Sequence, residues 1–220
     1  PPTHPTDVGY FTAFRGHEVA RLPMPSEAAK QAARREAAAT DQVAEPIFRC
    51  NQMYVEAVLH RHVTAHPAIA TLFGQTCTGW EEAGDHLRVH FQDAETGALT
   101  TRACRYLVGA DGGQSALRRG LGIRLGGRPF RDQAYAGGLT ASTHLRAPAL
   151  YEGMRQAPCW QYSIVSPRVR SNLVTLDGAG GFLFSTRLRP AGNETEREAI
   201  ERQFRESVGA EIPHEYLGHF

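Results

Sequence analysis

The sequence predicts an α/β (α+β) chain, and three observations carry that prediction. A short apolar run, Tyr106-Leu107-Val108, enters a glycine turn, Gly109-Ala110-Asp111-Gly112-Gly113, with an arginine-rich helical piece behind it. Four strand-like segments, 134–145, 159–167, 171–177 and 181–188, then follow one another through short turns, the pattern of an antiparallel sheet. A helical segment near the C-terminus places Ile200, Phe204 and Val208 at four-residue spacing, so one stripe is built for burial. With 41% hydrophobic and 21% charged residues, 220 positions can bury a core as one large domain or two small ones.

Taken in order, residues 7–22 carry β-type side chains on either side of Arg15-Gly16-His17-Glu18, which predicts a hairpin. Residues 25–40 are rich in Ala, Arg and Glu without an apolar stripe; a helix capped by Ser26 and a solvated loop both fit. A better helix starts at Asn51, a capping residue, and sets Tyr54, Val55, Val58, Leu59 and Val63 on one face before Pro67 breaks it. Strand-like segments follow at 68–73, 75–82 and 86–92. In the last, Leu87, Val89 and Phe91 alternate with His86, Arg88, His90 and Gln92. After a turn at 93–97, a strand runs through 100–110. Its end does not alternate, which predicts burial on both faces. In the later sheet Trp160, Tyr162 and Ile164 share a side, either as core or as the wall of an apolar pocket. The final helix is expected from Asn193, with Glu196 placed for a capping box and Gly209 as its stop.

Composition excludes several classes. A formal net charge of +1 provides no broad basic field for nucleic acid. No apolar run reaches the roughly 18–20 residues a membrane helix needs, and no signal peptide opens the sequence. Cys50, Cys77, Cys104 and Cys159 lie far apart with no C-x-x-C, which argues against a zinc site or disulfide scaffold and for reduced, cytoplasmic thiols. The opening residues, PPTHPTDVGY, read like the interior of a longer sequence.

The chemistry concentrates at 109–119. Glycines at a strand end let backbone N–H groups approach a phosphate or hydroxyl, and ligands in open α/β sheets sit at such ends. Asp111 is an acceptor and suits a sugar hydroxyl. Arg118, seven residues on, suits a phosphate or an acidic partner. A plain turn with a capping aspartate fits the same spacing. No G-x-G-x-x-G is present; Gly120-Leu-Gly-Ile-Arg-Leu-Gly-Gly127 is a near miss with Leu125 at the last required glycine. Walker and G-x-S-x-G motifs are absent, and no acid, base or nucleophile stands out as catalytic. His60, His62 and His66 lie close together, but Pro67 interrupts their helix and no further ligand faces them, so no metal site is expected.

The stretch 106–123 resembles the second flavin motif of the FAD-dependent aromatic hydroxylases, the p-hydroxybenzoate hydroxylase type of single-component flavoprotein monooxygenase. Asp111, Gly112, Ser115 and Arg118 match its pattern. Residues 49–59 resemble the family segment with a flavin-contacting glutamine, which implies Gln52 and Arg49. Residues 73–97 resemble the strand pair ahead of the motif, where backbone near Cys77 approaches the adenine. The later strands resemble the substrate sheet of the phenol and polyketide hydroxylase branch. The resemblance implies part of a Rossmann-like FAD-binding domain plus an antiparallel-sheet substrate domain with a packed helix. Residues 1–46 and 127–220 would be substrate domain, and 47–126 the centre of the FAD domain. It further implies FAD as cofactor, NAD(P)H as co-substrate, hydroxylation of a small aromatic substrate with O2, and no membrane or nucleic-acid partner. Asp111, Gly112, Gly113, Gln52, Arg49, Cys77 and Arg118 are the implied cofactor contacts. The family's G-x-G-x-x-G unit and its later Gly-Asp motif have no counterpart here. An internal segment of a longer enzyme, or a small-molecule binding module without flavin chemistry, is therefore expected.

Overall fold

The computed structural model describes residues 2–36, 48–127, 140–152 and 154–219. The chain divides into two units, one formed by residues 1–49 and 129–220, the other by 50–128. Residues 134–139, the start of the first later strand expected from sequence, lie outside the described residues.

The first unit is built on a seven-stranded sheet. Its strands are β1 (Val8–Phe11), β2 (Glu18–Leu22), β6 (Thr140–Arg146), β7 (Gln161–Val165), β8 (Arg170–Thr175), β9 (Gly181–Arg187) and β10 (Glu215–His219). They lie in the order β10-β6-β9-β8-β7-β1-β2. Neighbours run antiparallel except β1 and β7, which pair in parallel with Val8 opposite Gln161. The predicted hairpin is β1–β2. The alternation read from sequence becomes burial: Tyr162, Ile164, Leu173, Phe182 and Phe184 are buried and join Phe11 and Leu145 in one core.

Helix α4 (Glu196–Val208) closes that core with Ile200, Phe204 and Val208, as its spacing requires. Phe204 meets Phe184 edge-on, with ring centroids 5.4 Å apart. The capping box stands two residues later than expected: Thr195 accepts from the Glu198 amide, and the Glu198 side chain returns to the Thr195 amide. Residues 191–194 form a turn of their own, closed by Glu194 N–H to the Ala191 carbonyl, so helical geometry begins only beyond it. Gly209, at φ +78°, ends the helix in the left-handed conformation that favours glycine. Helix α1 (Glu27–Glu36) selects the helical alternative for its segment. Ser26 accepts from the Ala29 amide, and most of the helix is exposed. Strand β10 had no legible signal, being five residues with two apolar side chains and a glycine.

The second unit holds helix α2 (Gln52–Ala65), a three-stranded antiparallel sheet and helix α3 (Ala116–Gly120). The strands are β3 (Gln75–Ala83), β4 (His86–Asp93) and β5 (Leu99–Cys104). Four expectations are corrected here. The stripe of α2 is exposed, and Asn51 precedes the helix without a side-chain capping bond. Residues 68–73 are not a strand, because Pro67 starts a turn closed by Ile69 N–H to the His66 carbonyl. Tyr106 and Val108 are 85% exposed rather than buried, and the strand stops at Cys104. No strand among the described residues lies alongside 106–110, so that backbone has no ladder to complete.

Candidate functional site

The Asp111 turn is held by its own side chains. One carboxylate oxygen of Asp111 accepts from the Ser115 hydroxyl at 2.5 Å; the other accepts from the amides of Ala116 at 2.7 Å and Leu117 at 3.3 Å. Ser115 in turn accepts from the Arg118 amide at 3.0 Å, the N-cap bond of α3. Arg118 reaches back to donate to the Gly113 carbonyl at 3.0 Å, and Arg119 donates to the Gln114 carbonyl at 2.6 Å. The Ser115 hydroxyl, aided by the helix amides, holds the Asp111 carboxyl below the usual carboxylate range. Sequence spacing left a ligand aspartate and a capping aspartate open; the capping bonds are present.

The turn still has capacity. An ionised carboxylate offers about four acceptor positions, three of which are used here, and Asp111 is exposed. The Arg118 Nε is buried without a hydrogen-bond partner. Gly112 takes φ +74°, and a Cβ there or at Gly113 would meet nothing within 4 Å, so this backbone is open to approach. Gly109 differs: a Cβ would crowd Leu117 and Asp111. The predicted residues Asp111, Gly112, Gly113 and Arg118 thus form one hydrogen-bonded unit.

The other predicted contacts have partners of their own. Gln52, in the first turn of α2, donates to Glu56 at 2.6 Å. Cys77 sits on β3 beside a register shift between Cys77 and Gly79. Arg49 belongs to the first unit, where its guanidinium stacks 3.7 Å from the Trp160 ring centroid and donates to the Met24 sulfur at 3.1 Å. Among the described residues no three His, Cys, Asp or Glu side chains are placed to hold a metal ion.

A second feature lies on the sheet face opposite α4. Tyr10, Ser163, Asn172, Ser185 and Ser142 occupy successive registered positions across β1, β7, β8, β9 and β6. Ser163 donates to Asn172 at 2.9 Å, and the Ser142 and Ser185 hydroxyls lie 3.1 Å apart. Tyr10, Ser163, Asn172 and Ser185 line a cavity of about 640 Å³ that continues around the β7–β8 end of the sheet. Sequence reading attended to the aromatic half of the alternation, and Tyr162 proves to be core. The polar half, one Ser or Asn per strand at every second position, was the available signal.

The chain belongs to the FAD binding domain family, whose pattern matches residues 8–215. It is 41% identical over 69 residues to aklavinone 12-hydroxylase DnrF of Streptomyces peucetius, covering 31% of this chain and 14% of that protein. It is 34% identical over 82 residues to the 3-(3-hydroxy-phenyl)propionate/3-hydroxycinnamic acid hydroxylase of Paraburkholderia xenovorans (strain LB400), covering 37% and 13%. Among solved structures, the flavin-dependent monooxygenase PieE in complex with FAD and substrate superimposes with a TM-score of 0.76 at 22% identity, over 99% of this chain and 38% of that one. The substrate-free rebeccamycin biosynthetic enzyme RebC gives 0.74 at 26% identity, over 100% and 40%. The chain therefore spans about two fifths of the solved relatives. No helix among the described residues is long and apolar enough to cross a membrane.

Proposed function

We propose that this chain is the central part of the FAD-binding domain (residues 47–126) and most of the substrate domain (1–46 and 127–220) of a cytoplasmic FAD-dependent aromatic hydroxylase. The reading includes NAD(P)H as reductant and O2 as oxidant. The observation that carries it is the turn from Asp111 to Arg118, with its remaining acceptor position, its orphaned buried guanidinium nitrogen and its open glycines. Those are the groups a ribityl chain and a phosphate would engage. When bound, the flavin supplies the redox and oxygen chemistry, and the protein binds, orients and excludes water.

Within this reading Asp111 accepts from a sugar hydroxyl, Gly112 and Gly113 clear the approach, and Arg118 meets a phosphate or fixes the turn. Gln52 and Arg49 make flavin contacts, and the backbone at Cys77 lies near the adenine. The Ser163, Asn172 and Ser185 row offers hydrogen bonds to the hydroxyl or carbonyl groups of a small aromatic substrate. The named hydroxylases among the relatives support that substrate class.

The test is a flavin titration of the full reading frame that contains this chain, alongside Asp111→Ala. The substitution is expected to weaken FAD binding by roughly tenfold or more, as loss of a charge-assisted hydrogen bond does. Unchanged affinity in a folded variant would sink the assignment. The 220 residues alone are expected to bind FAD weakly and to show no turnover, since few of the contacts must meet the full ordering cost.

A further inference from the structure

A different set of residues stands out at the end of the sheet where β7, β8 and β9 meet. Val165 pairs with Arg170, and Arg187 pairs with Thr140. Because Ser171 pairs with Thr186, Arg170 and Arg187 stand opposite each other at the next position of the β8–β9 ladder. Both lie two residues from the polar row and on its face, next to Asn172 and Ser185. Like charges directly opposite one another across a ladder are destabilising.

Elsewhere in the same unit some arginines are answered by acids. Arg21 holds Asp7 and Glu18; Arg202 holds Glu194 and Glu206. Among the described residues no carboxylate answers Arg170 or Arg187, nor Arg168 at the hairpin tip, nor Arg189 just beyond β9. All four line the same cavity of about 640 Å³, and among the described residues no Asp or Glu lines it. The volume falls within the range of about 300–1,000 Å³ common to small-molecule pockets.

We propose that this end of the sheet binds a phosphorylated small molecule, with its phosphate or diphosphate group held between Arg170 and Arg187. One guanidinium fork satisfies one carboxylate; four forks without a counter-ion call for a group with several charged oxygens. Val165, exposed beside Arg170, adds apolar surface for an organic portion. The inference goes beyond the flavin contacts, since none of its residues belongs to the Asp111 turn, but it shares its cavity with the Ser163, Asn172 and Ser185 row.

Calorimetric titration of the 220-residue chain with inorganic pyrophosphate, with ADP and with benzoate tests it. Pyrophosphate and ADP are expected to bind and benzoate to bind much more weakly. ADP tighter than pyrophosphate identifies an organic phosphate as the ligand, and equal affinities identify the free anion. The double variant Arg170→Gln/Arg187→Gln is expected to lose roughly tenfold or more in affinity for both. It is also expected to melt higher than the parent without ligand, because the facing charges are gone. That thermal scan, with circular dichroism, reports folding separately from binding. Absence of binding by both phosphates, benzoate binding as tight as pyrophosphate, or undiminished affinity in the folded double variant would each overturn the proposal.

Discussion

Ser115 donates to Asp111 at 2.5 Å while accepting from the Arg118 amide at 3.0 Å, so one hydroxyl couples the candidate ligand carboxylate to the start of α3. Ser115→Ala removes both bonds. The expected cost is about 1 kcal/mol of local stability, read as faster amide exchange at Ala116, Leu117 and Arg118. Exchange at β8 and β9 should stay as it was. Unchanged protection at α3 would show that the cap contributes nothing.

Gly120 ends α3 against the Trp80 indole of β3, and a Cβ at residue 120 would overlap the ring. Gly120→Ala must displace a stiff aromatic side chain, at a cost of about 1–3 kcal/mol. Trp80 and Trp160 are the two tryptophans, so the change is followed cleanly as Trp80 fluorescence in a Trp160→Phe background. A spectrum and denaturant midpoint identical to the background would contradict the packing.

Phe204 is buried against Phe184 and the sheet. Phe204→Ala is expected to cost about 3–5 kcal/mol, the usual range for emptying an aromatic site in a core. Equilibrium urea unfolding of the first unit measures it; a loss under about 1 kcal/mol would mean that the helix does not close this core.

Acid stability should depend on Asp7. Burial pushes its pKa up, but the Met24 amide and the Arg21 guanidinium at 2.9 Å together outweigh that and leave it below the usual value. A depressed folded pKa stabilises above the unfolded value of about 3.9, and that contribution is lost as pH falls through the folded pKa. Asp7→Asn should therefore be less stable at neutral pH and lose less stability between about pH 4 and pH 2. Parallel pH profiles for variant and parent would argue against the linkage.

The four thiols should separate by access. Cys50 is exposed, whereas Cys159 is fully buried and burial pushes its thiol up to about 11. At pH 8 a disulfide reagent should modify Cys50 first and Cys159 only on unfolding. Rapid labelling of Cys159 in the folded chain would be inconsistent with its place in the core.

Much of the first unit was legible because each strand there carries its own alternation. Tyr162 and Ile164, Leu173, and Phe182 and Phe184 mark the inner face without help from distant sequence. The parallel β1–β7 pairing was not legible, because neither strand encodes its partner. The run at 106–108 misled for a related reason: an apolar segment becomes a strand only beside another, and none among the described residues lies there. At the candidate site, residue types and spacing pointed to Asp111, Gly112, Gly113, Ser115 and Arg118 as a group. The bonds that make them a capped turn depend on side-chain orientation, which spacing does not carry. The facing Arg170 and Arg187 escaped notice because their opposition exists only in the β8–β9 register.

The β1–β7 pairing also sets an order of assembly during synthesis. Val8 leaves the ribosome ahead of its partner Gln161, which emerges only after the whole of the second unit. The second unit is continuous in sequence and can collapse while the chain is still growing. The hairpin of β1 and β2 must meanwhile wait with its inner edge unsatisfied, a vulnerable template for pairing with another chain. Closing so long a loop is slow rather than thermodynamically prohibitive.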